Sequence, residues 1–365
     1  MTLPFNPALK NLPVYQPGRP IEEVARELGL PTGEIIKLAS NENPLGPSPL
    51  ALAAVEKMLK LTHLYPDGNG FYLKQKLAQK LGAEPQNLIL GNGSNDIIEF
   101  VGHALLDAES EVVVSQYCFL VYPIVTQLFG AKLVTVPAKN FGHDLRTMVR
   151  AITPKTKIVF VANPNNPTGT QAEREQIVEL INSTPANILL VMDEAYIEFV
   201  DDRTDLLPLI RRGDFPNLIL MRTFSKIYGL AGFRIGYGIG HPDLIAALEK
   251  VRQPFNTNAL AQAAALAALD DVEHIQRTRS NNSAGLRFFE RAFRELKLEF
   301  VPSVTNFILV KVGDGQRAFG ELQKRGVIVR PMAAYQLPEW IRISIGTPAE
   351  NARCMAALSE VLTKK

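Results

Sequence analysis

The sequence has few residues of the kinds that build disulfide frameworks or metal centres. Its 365 residues include two cysteines and five histidines, and Cys118 and Cys354 form neither a CxxC pair nor a ligand spacing with a histidine. A disulfide scaffold and a metal site are therefore not expected. The formal net charge is only +2, so no strongly basic surface indicates nucleic-acid binding.

Long hydrophobic runs are also missing. The most apolar helix-like run, residues 259–269, is interrupted by Gln262 and is far shorter than the ~20 residues that span a bilayer. The first twenty residues contain five prolines and too short an apolar run for a signal peptide. We therefore expect no membrane association and a cytoplasmic location.

The chain does have an alternation of short apolar runs and helix-like segments. Its apolar fraction of 46% and charged fraction of 21% are typical of a globular protein. Alternating buried strands and helices predict an α/β fold in which helices cover both faces of a mostly parallel sheet. The runs assigned to strands are residues 88–90, 112–114, 133–136, 158–161, 188–192, 218–221 and 235–239.

The remaining segments predict three parts of the molecule. We expect an N-terminal arm over residues 1–35, a large domain over 36–265 and a small α+β domain over 266–365. A long helix over about 256–280 is expected to link the two domains. Further elements are predicted as helices over 284–296 and 348–362 and strands near 307–310, 327–329 and 341–346.

Polar and aromatic residues follow four of the predicted strands. SQYCFLVY begins at residue 115, ANPNNPTG at 162, DEAY at 193 and RTFSK at 222. Ligands in parallel sheets bind beyond the carboxyl ends of the strands. The sequence therefore predicts one crevice in which these four segments converge.

The stretch over residues 223–237, TFSKIYGLAGFRIGY, holds one lysine between two apolar runs. Burial of Lys226 there would lower its pKa and give a nucleophilic amine that condenses with aldehydes. Thr223, Ser225 and Arg234 supply donors for an anion beside it. An aldehyde together with a phosphate points to pyridoxal phosphate, although a solvated turn is the alternative.

Residues 88–105 combine a short strand, a glycine turn over 91–93 and a helix that we expect Ser94 to cap. Free backbone amides at such a helix N-terminus bind phosphate. The GNGSN pattern is not the GxGxxG fingerprint, which disfavours a nicotinamide cofactor. An ordinary strand-to-helix turn is the alternative.

Asp193 directly follows an apolar run and is expected at the floor of the crevice, where a carboxylate can keep a pyridine nitrogen protonated. Its alternative role is to cap a helix. Tyr196 and Asn166 are candidate donors to the ring oxygen of the cofactor. Either Phe119 or Tyr117 is expected to stack on the ring, unless both belong to the core.

Two arginines near the C-terminal strands are candidates for binding the anionic group of a substrate. Arg342 lies within IRISIG and Arg330 within VIVRP. A buried arginine is costly without an anionic partner, and a carboxylate or phosphate can bind it in bidentate fashion. A structural ion pair is the alternative.

Several motifs together resemble a known family. NPNNPTG at 163–169, DEAYIEF at 193–199 and the lysine stretch resemble the fold-type I, pyridoxal-phosphate-dependent aminotransferases. LASNENPLGPSP, YPDG and IRISIGT are most similar to the histidinol-phosphate aminotransferases among them. The resemblance covers nearly the whole chain. It implies a seven-stranded, mostly parallel sheet in the large domain.

The resemblance also implies roles for individual residues. Lys226 resembles the lysine that binds the cofactor and shuttles a proton, and Asp193 matches the partner of the pyridine nitrogen. Tyr196, the third catalytic candidate, and Asn166 match the ring-oxygen donors, and Phe119 aligns with the stacking aromatic. The positions that match the family's phosphate contacts are Gly93, Ser94, Asn95, Thr223, Ser225 and Arg234.

The remaining implied roles concern substrate and subunits. Tyr65 resembles a tyrosine that reaches the cofactor phosphate of the neighbouring subunit, which implies a homodimer with shared active sites. Arg342 matches the arginine that binds the anionic group of the substrate. The other positions implied in substrate contacts are Tyr15, Glu42, Asn43 and Arg330.

The expected activity is a ping-pong transamination between histidinol phosphate and 2-oxoglutarate, within histidine biosynthesis. An aromatic amino acid aminotransferase is the nearest alternative on the same scaffold. A pyridoxal-phosphate-dependent decarboxylase of a phosphorylated amino acid is another. A cofactor-sensing regulator would need a DNA-binding domain, for which the arm is too short and insufficiently basic.

Overall fold

The computed structural model describes residues 3–12, 14 and 18–363. The strands are β1 (Ile36–Lys37), β2 (Leu88–Gly91), β3 (Glu111–Ser115), β4 (Lys132–Val136), β5 (Thr156–Ala162), β6 (Leu189–Asp193), β7 (Leu218–Thr223), β8 (Gly236–Gly240), β9 (Phe300–Val301), β10 (Phe307–Lys311), β11 (Val327–Ile328), β12 (Arg330–Pro331) and β13 (Trp340–Ser344). The α-helices are α1 (Ile21–Leu28), α2 (Pro49–Met58), α3 (Phe71–Leu81), α4 (Ser94–Leu105), α5 (Val121–Leu128), α6 (Leu145–Arg150), α7 (Arg174–Ser183), α8 (Leu207–Arg212), α9 (Pro242–Glu249), α10 (Ala259–Ala268), α11 (Val272–Glu295), α12 (Gly315–Lys324) and α13 (Pro348–Thr363).

Seven strands form one large sheet in the order β2-β8-β7-β6-β5-β3-β4. Only β8 runs antiparallel to its neighbours, so the predicted mostly parallel sheet is confirmed. In the register of the sheet, Asp193 lies between Ala162 of β5 and Met221 of β7. Thr223 is paired with Gly236 at the same edge. The ends of the central strands therefore meet at one edge of the sheet.

Both faces of this sheet are buried under helices. In β6, Leu190 and Met192 pack in one core cluster with α2, α3, α7 and α10, whereas Leu189 and Val191 pack in a second with α4, α5 and α9. Successive side chains of a strand point to opposite faces, so a continuous apolar run fills both layers. Burial of each of these aliphatic side chains contributes about 2 kcal/mol to the free energy of folding. The strands, and therefore the positions of their ends, are held firmly by this packing.

The two clusters on the faces of the large sheet are together called the large core. A separate cluster, the small core, surrounds an antiparallel sheet of order β12-β13-β10-β9 that packs against α11, α12 and α13. The two-residue strand β1 pairs in parallel with β11, and Ile36 and Leu38 are buried in this small core. The predicted boundary after residue 265 falls inside α10, whose buried alanines pack on the large core. The division of the chain into domains stays a prediction.

The linking helix predicted over residues 256–280 is wrong. Two helices, α10 and α11, are separated by a break at which the Asp271 carboxylate accepts a hydrogen bond from the His274 backbone N–H. The sequence also predicted that one helix ends near residue 280 and the next begins at residue 284. In the structure, α11 runs through these positions without a break and ends at Glu295. Asn281 and Asn282 donate to Gly346 and Thr305. Tertiary partners thus occupy side chains that otherwise compete with helical hydrogen bonds.

One further local prediction, the Ser94 cap, and the alternative role considered for Asp193 differ from the structure. Gly93, with a φ of 76°, is the N-cap of α4, and Ser94 is its first helical residue. Glycine adopts this left-handed backbone conformation without the strain of a side chain. Asp193 caps no α-helix. It ends β6, and its carboxylate accepts the Ala195 N–H within a turn.

Within the described ranges, every helix is too short or too polar to span a lipid bilayer.

Candidate functional site

A cavity of about 270 Å³ lies at the edge where the central strands of the large sheet end. Its walls come from both cores, because the end of β6 and the lysine loop face residues of β12 and β13. The segment over residues 39–42 closes it from a third side. The sequence-predicted residues that line it are Glu42, Ser94, Asn95, Phe119, Asn166, Asp193, Tyr196, Thr223, Ser225, Lys226, Arg234, Arg330 and Arg342.

Lys226 lies in the turn after β7, and neighbouring residues fix this turn in the large core. Phe224, Ile227 and Leu230 are fully buried, and the Phe224 N–H donates to the carbonyl of Ile235 across the base of the loop. The Lys226 Nζ donates to the carbonyl of Ser40 at 3.3 Å. The turn therefore presents the amine to the cavity in a defined position.

The electrostatic surroundings of Lys226 favour the neutral amine. Burial lowers its pKa to about 8, and the positive charges of Arg342 and Arg234 add to this effect. Glu42 and Asp193 act in the opposite direction. Desolvation disfavours the ammonium ion because a buried charge loses its hydration. Lys226 thus has the reactivity of a nucleophile and proton acceptor near neutral pH.

Asp193 is buried at the end of β6, next to the cavity. Its Oδ2 accepts a hydrogen bond from the Tyr122 hydroxyl at 2.6 Å, and its Oδ1 accepts the Ala195 N–H at 3.1 Å. Burial raises the pKa of Asp193 to about 6, while these two donors and the charge of Lys226 act to lower it. The carboxylate is therefore held in one orientation by groups on both of its oxygens.

The opposite end of the cavity is suited to an anion. Thr223 Oγ1 donates to Ser225 Oγ at 3.0 Å, and Arg234 Nη1 donates to Ser225 Oγ at 3.5 Å. The N-terminus of α4 adjoins them, since a Cβ on Gly93 would lie 2.5 Å from Arg234 Nη2. Arg234 itself adopts a φ of 57°, a strained conformation for a residue with a side chain. Hydroxyls, a guanidinium and free helix amides converge in the arrangement that binds phosphate.

Polar residues of the two cores meet across the cavity. Arg342 donates from Nη1 to Asn166 Oδ1 at 2.6 Å and from Nη2 to the carbonyl of Ala39 at 3.0 Å. Asn41 Nδ2 donates to the Tyr196 hydroxyl at 2.9 Å. Of the two predicted ring-oxygen donors, Asn166 is therefore hydrogen-bonded to Arg342 of β13. Tyr196 is hydrogen-bonded to Asn41 in the segment over residues 39–42.

The structure distinguishes between the two candidate stacking aromatics. Phe119 lines the cavity and meets Tyr122 edge-on, with ring centroids 5.7 Å apart. Tyr117 stacks on Phe141 at 5.9 Å and packs against the cluster that contains Trp340. Of these two candidates, Phe119 is therefore the one that lines the cavity.

Some of the predicted residues are not brought into this cavity. Tyr65 is 82% exposed and stacks on Phe255 at 4.8 Å. Asn43 points toward α11, where its Nδ2 donates to the carbonyl of Ile227 at 2.9 Å and to Thr278 Oγ1 at 3.1 Å. Tyr15 lies outside the described residues. The family resemblance implied substrate contacts for both Glu42 and Asn43, but of these two neighbours only Glu42 lines the cavity.

Sequence reasoning missed three contributors to the site. Tyr122 binds Asp193, Asn41 binds Tyr196, and the carbonyl of Ser40 accepts from Lys226. Tyr122 lies 71 positions before Asp193, so no local spacing connects them. The cluster NEN at residues 41–43 was a signal for Asn41, since asparagine favours the left-handed conformation that this residue adopts at a φ of 54°.

In the part of the chain that the structure describes, no group of three or more histidine, cysteine, aspartate or glutamate side chains is arranged to hold a metal ion.

Comparisons with known proteins identify the family of this chain. The family model "Aminotransferase class I and II" matches residues 33–358. The chain is 51% identical over 358 residues to the histidinol-phosphate aminotransferase of Akkermansia muciniphila, covering 98% of each protein. It is 49% identical to histidinol-phosphate aminotransferase 1 of Nitrosococcus oceani, over 97% of this chain and 95% of that protein.

A solved structure is similar over nearly the whole chain. The histidinol-phosphate aminotransferase of Sinorhizobium meliloti, crystallised in complex with pyridoxal 5′-phosphate, superposes with a TM-score of 0.90. It is 32% identical, and the match covers 98% of this chain and 97% of that one.

Proposed function

Because this chain belongs to the class I and II aminotransferases, we propose that it transfers an amino group between histidinol phosphate and 2-oxoglutarate, with pyridoxal phosphate as cofactor. The family and fold expected from the sequence motifs are confirmed. The single observation that carries the activity is the buried amine of Lys226, with its lowered pKa, in a cavity that also holds a carboxylate and an anion cradle.

The residues present fit pyridoxal phosphate. Lys226 would hold its aldehyde, and Thr223, Ser225 and Arg234 with the N-terminus of α4 would hold its phosphate. Asp193 would pair with its ring nitrogen, since this buried carboxylate is aimed at the cavity and already carries donors on both oxygens. Asn166 and Tyr196 would donate to the ring oxygen, and Phe119 would cover one face.

When bound, pyridoxal phosphate supplies an electron-withdrawing ring that stabilises negative charge at the substrate carbon bearing the amino group. The chain itself moves the proton. Once the amino group of the substrate has replaced it at the aldehyde carbon, Lys226 Nζ would accept the proton from the substrate carbon and deliver it to the former aldehyde carbon. Phe119 and the segment over residues 39–42 form parts of the wall around the reacting atoms.

The arginines of the small core support a phosphorylated substrate. Arg342 and Arg330 lie directly opposite each other in the β12–β13 pair, and both line the cavity. Like charges at opposite positions of two strands repel each other. A doubly charged phosphate between or beside them relieves this repulsion, and arginine binds phosphate in bidentate geometry. A carboxylate of glutamate would use the same cations in the other half of the reaction.

Subunit organisation belongs to the same proposal. Phe255 stacks on Tyr65, and a group of exposed apolar and aromatic side chains lies close to Tyr65 in sequence, namely Leu59, Leu61, Leu64, Phe71 and Tyr72. A patch of this kind indicates a protein interface. We propose that it is the contact between two copies of the chain, which would bring Tyr65 of one copy to the site of the other. The cytoplasmic location stays a prediction.

The proposed reaction can be tested with the purified protein and three amino donors. Histidinol phosphate should convert the absorbance of the bound cofactor and turn over with a kcat/KM roughly tenfold or more above that of phenylalanine, because a doubly charged phosphate pairs more strongly with the two arginines than the singly charged carboxylate of phenylalanine does. Glutamate should act as the second donor. Lys226→Ala serves as the control and should lose turnover with histidinol phosphate.

Equal turnover of phenylalanine and histidinol phosphate would contradict the substrate assignment and favour the aromatic aminotransferase. Release of carbon dioxide from a phosphorylated amino acid would favour the decarboxylase instead. Normal turnover by Lys226→Ala would contradict the whole mechanism.

A further inference from the structure

Tyr122 is a fully buried tyrosine behind the cavity, and its hydroxyl donates to Asp193 Oδ2 at 2.6 Å. This distance is shorter than that of a typical hydrogen bond between neutral groups, as expected when the acceptor is a charged carboxylate. Tyr122 does not line the cavity itself. Any influence on a bound ligand must therefore pass through Asp193.

The position of the hydroxyl is fixed by packing on several sides. The Tyr122 ring stacks on Phe160 of β5, with centroids 4.5 Å apart and planes 4° apart, and Phe119 meets it edge-on. The Tyr122 carbonyl accepts from Thr126 Oγ1 at 2.7 Å, and its N–H donates to the carbonyl of Phe119 at 3.1 Å. The side chain is thus fixed at the start of α5, a helix that packs against β4 and α4.

In the hydrogen bond between Tyr122 and Asp193, the phenol is the donor and the carboxylate is the acceptor. Burial raises the pKa of Tyr122 well above its usual value, and the charge of Asp193 raises it further. The phenol therefore remains a donor at every pH at which the protein works. Burial also raises the pKa of Asp193, and the Tyr122 hydroxyl is the first of the groups that oppose this rise. The hydrogen bond makes the carboxylate less basic than its buried position alone would.

We propose that Tyr122 is a positioning residue that orients Asp193 and keeps it ionised toward the ring nitrogen of the cofactor. The inference rests on the proposed function, because it assumes that Asp193 faces pyridoxal phosphate. A less basic carboxylate leaves the shared proton on the ring nitrogen, where it strengthens electron withdrawal. Without the hydroxyl, the proton moves toward Asp193 and the nitrogen loses its charge.

The test compares two probes that differ only at the ring nitrogen. Pyridoxal phosphate and 1-deazapyridoxal phosphate, which has a carbon in place of that nitrogen, are titrated into the apoprotein and their Kd values are measured by absorbance. Wild-type protein should prefer pyridoxal phosphate. Tyr122→Phe should lose about ten- to hundredfold of its affinity for pyridoxal phosphate and keep its affinity for the deaza analogue.

A matched control removes another buried tyrosine hydroxyl from the large core. Tyr237 is buried in β8, hydrogen-bonds Arg222 and does not line the cavity. Tyr237→Phe should preserve the ratio of the two Kd values even if it lowers the melting temperature. The ratio, unlike the melting temperature, therefore separates positioning of Asp193 from general stability.

Equal losses of affinity for both probes in Tyr122→Phe would overturn the proposal and leave Tyr122 a structural role. If Tyr122→Phe does not fold, a fluorinated tyrosine at position 122 keeps the shape and donates more strongly. The Kd for the deaza analogue divided by the Kd for pyridoxal phosphate should then rise, and a fall in this ratio would overturn the proposal. Failure of the wild-type protein to bind pyridoxal phosphate would instead remove the proposed function itself.

Discussion

At the scale of single side chains, burial moves two pKa values toward each other. The pKa of Lys226 falls to about 8 and that of Asp193 rises to about 6. Their ordinary values lie near the two ends of the pH range, so both groups are unreactive as acids or bases in water at neutral pH. In this cavity each can exchange a proton at small cost, which is the property that general acid–base chemistry requires.

The lowered pKa predicts how the apoprotein captures an aldehyde as pH changes. Above pH 8 the neutral amine of Lys226 predominates, so the initial rate of capture of pyridoxal phosphate should rise through a midpoint near pH 8. Exposed lysines should react with a midpoint about two units higher. Borohydride trapping followed by peptide mass spectrometry measures each lysine separately.

Two variants test the cause of that midpoint. Arg342→Gln removes a positive charge that lowers the pKa of Lys226, so the midpoint should move to higher pH. Arg330→Gln removes a charge from the same cavity that is not among the main causes, and the midpoint should stay in place. A midpoint near pH 10 in the wild-type protein would contradict the description of Lys226 as a desolvated amine.

Most cavity residues could be predicted because they occur in runs that follow buried strands. Asp193, Thr223 and Ser225 are adjacent in sequence to the strand ends that place them. Tyr122 and Asn41 could not be predicted in this way. Each acts on a residue that is distant in sequence and meets it only after helix α5 and the segment over residues 39–42 have packed.

At the scale of the elements, the anion cradle depends on the close approach of β8 to the start of α4. A Cβ on Gly236 would lie 2.6 Å from the Ser94 nitrogen and 2.7 Å from the carbonyl carbon of Gly93. Both atoms belong to backbone, which cannot rotate away. The absence of a side chain at Gly236 therefore lets β8 approach the start of α4 closely.

Gly236→Ala should therefore weaken cofactor binding more than it weakens the fold. Overpacking should lower the free energy of unfolding by about 1–3 kcal/mol, and the displaced helix N-terminus should raise the Kd for pyridoxal phosphate by at least about tenfold. Urea denaturation of the apoprotein and absorbance titration measure the two effects.

Gly232→Ala is the matched control, because a Cβ there meets no atom within 4 Å. Its free energy of unfolding should stay within about 0.5 kcal/mol of the wild-type value, with unchanged cofactor affinity. Unchanged affinity in Gly236→Ala as well would show that the α4 terminus does not hold the phosphate.

The elements were predictable to different degrees. Buried strands of the large sheet appear as apolar runs because both of their faces are covered, and all seven were placed correctly to within a few residues. The break between α10 and α11 was missed because it depends on Asp271, which caps α11 and also accepts a hydrogen bond from Ser48 Oγ at 2.6 Å. That second contact is visible only in the folded chain.

At the scale of the whole molecule, the segment over residues 39–43 joins the two cores. Asn41 receives a hydrogen bond from Ser344 of the small core and donates one to Tyr196 of the large core. Asn43 reaches the carbonyl of Ile227, next to Lys226. A shift of one core relative to the other must therefore change the position of groups that surround the lysine.

The proposed dimer predicts recovery of activity from two inactive variants. Lys226→Ala and Tyr65→Ala should each be nearly inactive, and refolding them together in equal amounts should restore about a quarter of wild-type activity. Half of the dimers are then mixed, and each mixed dimer has one site with both residues intact. Analytical ultracentrifugation should give twice the chain mass of 40.3 kDa.

Asp193→Ala mixed with Lys226→Ala is the control, since both residues line the same cavity and no mixed dimer contains an intact site. Recovery in this control, or a monomeric mass for the wild-type protein, would contradict the shared-site arrangement.

The pairing of β1 with β11 makes the small core discontinuous in sequence. A fragment that begins after α10 lacks Ile36 and Leu38, and it leaves the outer edge of Val327 and Ile328 bare. Separating the two lobes by cutting the chain once will therefore yield an incomplete C-terminal piece prone to aggregation. A circular permutation that appends residues 18–40 to the C-terminal lobe would keep its hydrophobic interior whole.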